Sequence, residues 1–344
     1  MINTKAWLNT LSVKSWSLPV VIFYVTEGCN LKCVTCSYRE AFPNELSLSE
    51  ISGLAKTLDD FGLRHIVYSG GEPLVRRDFR EICEIFRRYN VKQTLLTNGL
   101  LLEKRSDELQ NYFNEIIVSL DGADREIHNA IRGINSFDQI ILGIKKVVLS
   151  GQSQQTSIRT VLQKQNYHQV MDMVVLAKSL GVSRISFLAA DILSDGFGRD
   201  TRGAVVPNES IMLDNEETAN FRHLVEQMIS FYNPEFENGF IAESPDKMFH
   251  IAQYFEALNG KRQYPRNHCN APDVSAVITS TGDLKPCFFL PAFGNIRQNS
   301  LRDLVNNATI KETRKRVRKY TLERCHTCVC TIKARPTSLL FDRL

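Results

Sequence analysis

The sequence predicts an α/β fold in which a parallel sheet curls into a barrel or part-barrel, followed by a small α+β segment. Three observations carry this prediction. Six short apolar runs alternate with amphipathic helical patterns between residues 20 and 190, glycine and polar residues follow the ends of those runs, and a hairpin pattern lies beyond residue 269. Regular alternation of strand and helix favours parallel pairing through right-handed crossovers.

The six candidate strands are short and apolar, as expected where both faces of a sheet are covered. They lie at residues 20–26, 65–69, 92–97, 115–120, 157–162 and 184–189. In a parallel barrel the chemistry gathers at the carboxyl ends of the strands. The motifs that follow these runs are therefore the first candidates for a functional site.

Two intervening segments carry clear helix signals. Ser47 and Glu50 form a capping-box pattern ahead of apolar residues at helical spacing. Residues 137–148 place apolar side chains on one face, and Gly151 is a suitable helix end. Cys83 lies on the apolar side of a third helical segment, where we expect a buried structural thiol.

The length and composition allow about two domains. The chain has 344 residues, of which 43% are hydrophobic and 23% charged. We divide it into an N-terminal extension (1–19), the barrel (20–230), a helical connector (231–268) and a small α+β domain (269–344). That last domain is expected to contain a hairpin around a Thr-Gly-Asp turn, followed by helices.

The charge and hydropathy patterns exclude several classes of protein. The net charge of +4 does not indicate a nucleic-acid partner, and the basic stretch at 311–320 is interpreted as a solvated helix face because it lacks aromatic stacking residues. No signal-peptide pattern opens the chain, and no run of about 18 apolar residues predicts a membrane span. We therefore expect a cytoplasmic protein.

Cysteine use is the most informative feature of the composition. A reducing cytoplasm disfavours a disulfide framework, so nine cysteines point to metal or cluster ligation. Eight of them are clustered, at Cys29, Cys33 and Cys36, then Cys269 and Cys287, then Cys325, Cys328 and Cys330.

The first three have CxxxCxxC spacing directly after the first strand. A zinc site wants four ligands, whereas three thiolates can hold a 4Fe–4S cube with one iron left open. Taken alone, this spacing leaves zinc, cluster and redox chemistry open.

Five motifs on successive strand–helix units narrow the choice among zinc, cluster and redox chemistry. "CNLKCVTC", "SGGEP", "TNG", "SLDG" and "HNAIRG" occur in this order, and the sequence thereby resembles the radical S-adenosylmethionine (SAM) enzymes. The resemblance implies a partial (β/α)6 TIM-like barrel and a 4Fe–4S cluster whose open iron binds the amino and carboxylate groups of SAM. Cys29, Cys33 and Cys36 would ligate that cluster and so carry the catalysis.

The resemblance also implies which residues bind SAM. These are Gly70, Gly71, Glu72, Pro73, Asn98, Ser119, Arg132, Val161 and Leu162. The Gly-Gly-Glu-Pro motif would meet the methionyl amino group, Ser119 the ribose and Arg132 the carboxylate, while backbone at Val161 and Leu162 would flank the adenine. The family's usual aromatic residue before the third cysteine is Thr35 here, so Tyr38 or another residue would supply that adenine contact.

The C-terminal cysteines resemble the auxiliary-cluster module called SPASM, or its shorter twitch form. A full SPASM module has seven cysteines for two clusters, whereas this segment has five, which implies one auxiliary 4Fe–4S cluster. Cys269, Cys287, Cys325 and Cys328 would saturate it, with an electron-transfer role, and Cys330 would be spare or exchange with Cys328. A structural zinc site with four of these ligands is the alternative.

The function that the resemblance implies is that of an oxidoreductase or lyase. A flavodoxin or ferredoxin-type donor would reduce the first cluster, SAM would be cleaved, and the 5′-deoxyadenosyl radical would take hydrogen from a small molecule such as a sugar, cyclitol or nucleoside. The alternatives are a peptide or protein maturase, a GTP cyclase-like enzyme, and a non-catalytic iron–sulfur or zinc scaffold. Asp191, Asp195 and Arg199 are the candidate acid or base residues.

Overall fold

The computed structural model describes residues 4–108, 111–152, 156–199, 210–330 and 334. Its first six strands are parallel and follow one another in sequence order. They are β1 (Val20–Thr26), β2 (His65–Gly70), β3 (Lys92–Thr97), β4 (Glu115–Ser119), β5 (Thr156–Leu162) and β6 (Arg184–Ala189). The predicted parallel α/β sheet is confirmed, with strand ends that differ by one residue.

The C-terminal hairpin continues this sheet. Strand β7 (Ser275–Ile278) pairs in parallel with β1, β8 (Asp283–Lys285) returns antiparallel, and β9 (Gly294–Asn295) follows. Gly282 has φ +90° in the predicted turn, a conformation that favours glycine. Within the described ranges the strand order is β6-β5-β4-β3-β2-β1-β7-β8-β9, which leaves the sheet open between β6 and β9.

Helices cover the outer face of the sheet or join the strands. The barrel helices are α1 (Thr4–Leu11), α2 (Leu48–Asp60), α3 (Phe79–Arg87), α4 (Leu102–Arg105), α5 (Arg125–Arg132), α6 (Phe137–Val147) and α7 (Val170–Ser179). After them come α8 (Asn215–Phe231), α9 (Asn233–Glu237), α10 (Pro245–Leu258), α11 (Ala271–Val274), α12 (Leu301–Leu304), α13 (Ala308–Arg318) and α14 (Glu323–His326). In the described residues, no helix is both long enough and apolar enough to cross a bilayer.

The helix cap, helix end and buried thiol that the sequence predicted are present in the structure. The Ser47–Glu50 capping box opens α2, and Gly151 has φ +88° just beyond α6. Cys83 is fully buried on α3, in the apolar core between that helix and the sheet, as predicted. Burying a Leu, Ile or Phe side chain in this core stabilises the folded state by about 1.5–3 kcal/mol. This gain explains why each helix keeps its apolar face toward the strands.

The basic stretch on α13 differs from the prediction. Arg314 is buried and donates hydrogen bonds to the carbonyl oxygens of Pro272, Val13 and Val305. Arg318 pairs with the buried carboxylate of Asp273 at 2.8 Å. The interpretation as a solvated face is therefore wrong for these two residues, which fasten α13 to α11 and to the N-terminal segment instead.

Candidate functional site

The first three clustered cysteines lie on the loop after β1, residues 27–39, which we call the cysteine loop. Its backbone is held from several sides. The amide of Cys29 donates to the carbonyl of Arg39 at 3.0 Å, and the amide of Lys32 donates to the carbonyl of Arg132 at 3.1 Å. Gly133 closes α5 with φ +75°, and a Cβ there would lie 2.3 Å from the carbonyl oxygen of Lys32. The loop is thus packed against the end of α5.

Polar groups from distant parts of the chain reach the sulfurs of the cysteine loop. The amide Nδ2 of Asn98 lies 3.8 Å from Sγ of Cys29, and Nη1 of Arg132 lies 3.8 Å from Sγ of Cys33. Burial raises the pKa of Cys29 to about 11. A hydrogen-bond donor and a cation beside buried thiols favour their thiolate forms once a metal group replaces the protons.

This donor set fits a cluster with three thiolate ligands. Among the described residues, no three Cys, His, Asp or Glu side chains lie close enough together to hold one metal ion. Thiolates on one tetrahedral zinc would be only about 3.8 Å apart at a Zn–S length of 2.3 Å. The thiolates of a 4Fe–4S cube each ligate a different iron and are therefore spaced more widely.

The two glycines after β2 allow a close approach of two backbones. A Cβ on Gly70, at φ +119°, would lie 2.1 Å from the carbonyl oxygen of Thr26, and one on Gly71 would lie 2.2 Å from that of Gly28. The two glycines therefore let the segment after β2 pack directly on the cysteine loop.

Glu72 is completely buried beside these glycines. Its carboxylate accepts hydrogen bonds from the hydroxyl of Thr97 at 2.8 Å, the amide of Asn98 at 2.6 Å and the amide of Leu74 at 3.0 Å. Burial nevertheless raises its pKa to about 7. Glu72 therefore joins the ends of β2 and β3, and Pro73 begins the turn that follows it. Contact of this motif with the methionyl amino group stays a prediction.

Arg132 and the adenine-flanking segment are joined by Asp121, a residue for which the sequence predicted no role. Nη2 of Arg132 pairs with Oδ2 of Asp121 at 2.7 Å, and both side chains are buried. Oδ1 of Asp121 accepts from the amide of Val161 at 2.8 Å. Asn166 donates to the carbonyl oxygens of Asp121 and Val161. Asp121 belongs to the "SLDG" motif after the fourth strand, but that motif did not indicate the pairing of Asp121 with Arg132.

Val161 is half-buried and Leu162 is fully buried at the end of β5. Ser119 is half-buried at the end of β4, in register with Arg159 of β5. Ser119 and Arg132 therefore lie at the end of the barrel that carries the cysteine loop, but their contacts with SAM stay predictions.

Tyr38 belongs to an aromatic cluster. Its ring meets that of Tyr24 edge-on at 6.1 Å between centroids, Tyr24 stacks on Phe288 at 6.2 Å, and Phe288 stacks on Phe197 at 6.2 Å. The cluster extends from the cysteine loop to the residue after Cys287. The adenine contact proposed for Tyr38 in place of Thr35 stays a prediction.

The C-terminal cysteines surround one apolar pocket, which we call the auxiliary pocket. Its lining includes Cys269, Cys287, Cys325, Cys328 and Cys330 together with Phe288, Phe289 and Leu290. Burial raises the pKa of Cys287 to about 11. Five thiols around an apolar pocket form a donor set that suits an iron–sulfur cluster, since thiolate is the usual cluster ligand.

Asp191 and Arg199 form a buried ion network rather than a free acid and base. The two carboxylate oxygens of Asp191 pair with Arg324 and Arg199, each at 2.6 Å, and the Asp191 side chain is 1% exposed. Arg324 directly precedes Cys325, and Phe197 in the same loop accepts a hydrogen bond from the amide of Ser37 at 2.9 Å. The loop at 191–199 thus contacts both cysteine-bearing regions. Asp195 follows in the same turn.

Two family models match the two cysteine-bearing parts of the chain. Residues 23–177 match the radical SAM superfamily, and residues 269–329 match SPASM, an iron–sulfur cluster-binding domain. The chain belongs to the radical SAM superfamily and carries a SPASM domain. The first domain binds SAM and a 4Fe–4S cluster, and the second binds auxiliary iron–sulfur clusters, which supports a cluster over zinc in the auxiliary pocket.

Known proteins align with most of the chain. It is 31% identical to Fe-coproporphyrin III synthase of Methanosarcina barkeri over 65% of this chain and 54% of that protein. It is 30% identical to the subtilosin biosynthesis protein AlbA of Bacillus subtilis over 88% of this chain and 63% of that protein. The chain therefore spans between half and two thirds of the length of these relatives.

The fold is similar to that of SuiB from Streptococcus suis, solved with bound S-adenosylmethionine. The TM-score is 0.66 at 18% identity, covering 96% of this chain and 76% of SuiB. A likeness at this identity supports the partial-barrel fold that the sequence predicted.

Proposed function

We propose that this protein is a radical SAM oxidoreductase that removes a hydrogen atom from its substrate and passes an electron to an auxiliary cluster. When bound, the first cluster and SAM supply a one-electron cleavage of the sulfonium C–S bond to methionine and a 5′-deoxyadenosyl radical. The observation that carries the proposal is the convergence of Asn98, directly after β3, and Arg132, at the end of α5, on the sulfurs of Cys29 and Cys33.

The chain's own residues would bind and orient these groups. Cys29, Cys33 and Cys36 would ligate the first cluster. The buried Arg132 would keep positive charge beside the bound SAM carboxylate, and Asp121 would fix the guanidinium through its 2.7 Å ion pair. In the described residues the Nε of Arg132 is buried without a hydrogen-bond partner, so this side chain has a donor left for a ligand.

The auxiliary pocket would hold the electron acceptor. Cys269, Cys287, Cys325 and Cys328 would saturate one cluster, which leaves Cys330 as the spare thiol. The aromatic cluster and the Asp191 network would hold this pocket in a constant position relative to the cysteine loop. A flavodoxin or ferredoxin-type protein would supply the electron that is consumed in SAM cleavage. Net oxidation of the substrate is the expected outcome, because the substrate would lose a hydrogen atom and then pass one electron to the auxiliary cluster.

For the substrate, a peptide is our first proposal. AlbA, a protein of bacteriocin biosynthesis, aligns with 88% of this chain. A small molecule is the second proposal, because Fe-coproporphyrin III synthase is also similar over 65% of the chain. The sugar, cyclitol or nucleoside substrate expected from the sequence is a narrower form of this second proposal.

Iron content and SAM cleavage test the proposal together. Anaerobic reconstitution should load about eight irons per chain, and replacing Cys29, Cys33 and Cys36 by Ala should remove about four. Cys83→Ala is the matched control, since this buried thiol lies in the hydrophobic core and should leave the iron content unchanged. Dithionite-reduced protein should convert SAM to 5′-deoxyadenosine, whereas the triple variant should not. A fully loaded and reduced protein that forms no 5′-deoxyadenosine would refute the proposal.

The substrate proposals are separated by mass spectrometry. Loaded protein is incubated with SAM and dithionite, either with synthetic peptides or with coproporphyrin-type tetrapyrroles. If the substrate is a peptide, we expect the peptide to lose two mass units or to gain a cross-link, in proportion to the amount of 5′-deoxyadenosine formed. Turnover of the tetrapyrrole alone would favour the second proposal.

A further inference from the structure

A row of polar side chains crosses the inner face of the open barrel. Ser119 of β4 is in register with Arg159 of β5, which is in register with Ser186 of β6. Residues in register on neighbouring strands share a face of the sheet. Because the adjacent Ile158 and Phe187 pack in the outer core, Ser119, Arg159 and Ser186 belong to the opposite, inner face.

Within the described ranges, Arg159 is held at one nitrogen only. Its Nε donates to the hydroxyl of Ser186 at 3.2 Å. Among the described residues, neither terminal nitrogen has a hydrogen-bond or ion-pair partner, although the side chain is half-buried. A guanidinium presents two parallel N–H donors that match a carboxylate. Arg159 is thus oriented by β6, while its bidentate edge has no partner in the part of the chain that the structure describes.

Two further charged groups, Glu243 and Lys247, lie within electrostatic range of Arg159 or of its neighbours. Glu243 lies beside the edge of β6, where Oε2 accepts from the amide of Phe187 at 2.8 Å. Arg159 and Lys247 of α10 both act electrostatically on Glu243 and on Cys330 of the auxiliary pocket. In the described part of the chain, none of these three charged side chains makes a direct ion pair.

The balance of charge in this group is positive. Two cations face one carboxyl, and burial raises the pKa of Glu243 to about 7, so that carboxyl carries only part of a negative charge near neutral pH. Half-buried cations without partners are costly unless an anion joins them. An anionic group between Arg159 and Lys247 would supply the missing partner.

We propose that Arg159 and Lys247 form a binding site for a carboxylate of the substrate, on the inner barrel face between Ser119 and Cys330. The site rests on the proposed function, since it lies between the residue expected at the SAM ribose and the auxiliary cysteines. A substrate held there by its carboxylate is fixed between the two cluster-bearing regions. The carboxylate belongs to an acidic or C-terminal residue of a peptide, or to a propionate of a tetrapyrrole.

The test is a binding measurement on the cluster-loaded, SAM-bound protein. Glutarate is the probe, and glutaramide is its uncharged analogue of the same length. We expect glutarate to bind at least about tenfold more tightly than glutaramide, and Arg159→Gln to remove this preference. Lys247→Gln should weaken glutarate binding as well, whereas Arg159→Lys should retain part of it.

Arg125→Gln is the matched control, because Arg125 lies exposed on α5 in a surface pair with Asp138. It should bind glutarate like the unmodified protein. Iron content and the circular dichroism spectrum verify that each variant is folded. Equal glutarate binding by the Arg159→Gln variant and the unmodified protein would overturn the site, as would equal binding of glutarate and glutaramide.

Competition then distinguishes the sources of the carboxylate. Displacement of glutarate by a glutamate-containing tripeptide with a free C-terminal carboxylate supports a peptide, and displacement by coproporphyrin III supports a tetrapyrrole. Displacement by neither overturns the assignment to a substrate. Formation of 5′-deoxyadenosine by the Arg125→Gln protein is measured separately, so that a failure of SAM cleavage is not mistaken for a failure of this site.

Discussion

Replacing Asp191 by Asn tests whether the loop at 191–199 fastens the SPASM domain to the barrel. The Asp191 carboxylate is 1% exposed and pairs at 2.6 Å with both Arg324 and Arg199, which are 17% and 18% exposed. Removing one partner from a buried ion pair costs about 3–5 kcal/mol, because the remaining charges stay buried and uncompensated. An amide in place of the carboxylate leaves two guanidinium groups facing one another.

The chain contains a matched control. Asp138 pairs with Arg125 at the same 2.6 Å, but the side chains are 61% and 70% exposed. An exposed pair contributes only about 0.2–1 kcal/mol, since water screens it. Asp138→Asn therefore removes the same chemical group at the same distance in a different environment.

Urea unfolding of the anaerobic, cluster-loaded proteins measures the difference. We expect the free energy of unfolding to fall by about 3–5 kcal/mol in Asp191→Asn and by less than about 1 kcal/mol in Asp138→Asn. Because Arg324 precedes Cys325, the Asp191 variant should also lose its auxiliary iron faster to a chelator. An equal decrease in the free energy of unfolding in the two variants would refute the argument from burial.

Three further predictions follow from other parts of the site. Gly71→Ala should lose iron from the cysteine loop and with it SAM cleavage, because the new Cβ would lie 2.2 Å from the carbonyl oxygen of Gly28; a variant with full iron content would contradict this. Burial, with a smaller effect of Arg132, lowers the pKa of His128 to about 3, below its ordinary 6.5. The neutral imidazole therefore stabilises the fold fully above pH 6.5, and this contribution is lost as the pH falls toward 3. Urea unfolding should show a loss of about 1.5 kcal/mol between pH 6.5 and 5.0 that is absent in His128→Gln, and parallel pH profiles would exclude it. Finally, Cys330→Ala should retain about eight irons by colorimetric assay whereas Cys328→Ala should retain about four, and the reverse would make Cys330 the ligand.

Local signals in the sequence were sufficient for the elements and for the two cysteine-bearing regions. Apolar runs of strand length alternate with segments of helical periodicity. They predict the parallel sheet, because packing helices on such a sheet buries the apolar strands and the apolar faces of the helices together. The Ser47–Glu50 capping box and the burial of Cys83 also depend on nearby residues alone, and both are confirmed. The "CNLKCVTC" and "SGGEP" motifs were recognisable for the same reason, since their spacing is contained within one loop.

The tertiary structure decided what depends on pairing between distant residues. The sequence of β7 does not show that this strand pairs with β1. The stretch "KETRKRVRKY" does not show that Arg314 points inward. Asp191 has the composition of a solvated loop residue until Arg199 and Arg324 are brought to it. Arg159 is likewise one charge in an apolar strand until register sets it beside Ser119 and Ser186. The amino-acid sequence specifies which charged groups the protein carries. Long-range packing determines which of these groups obtain a partner of opposite charge, because electrostatic partners are set by distance in space.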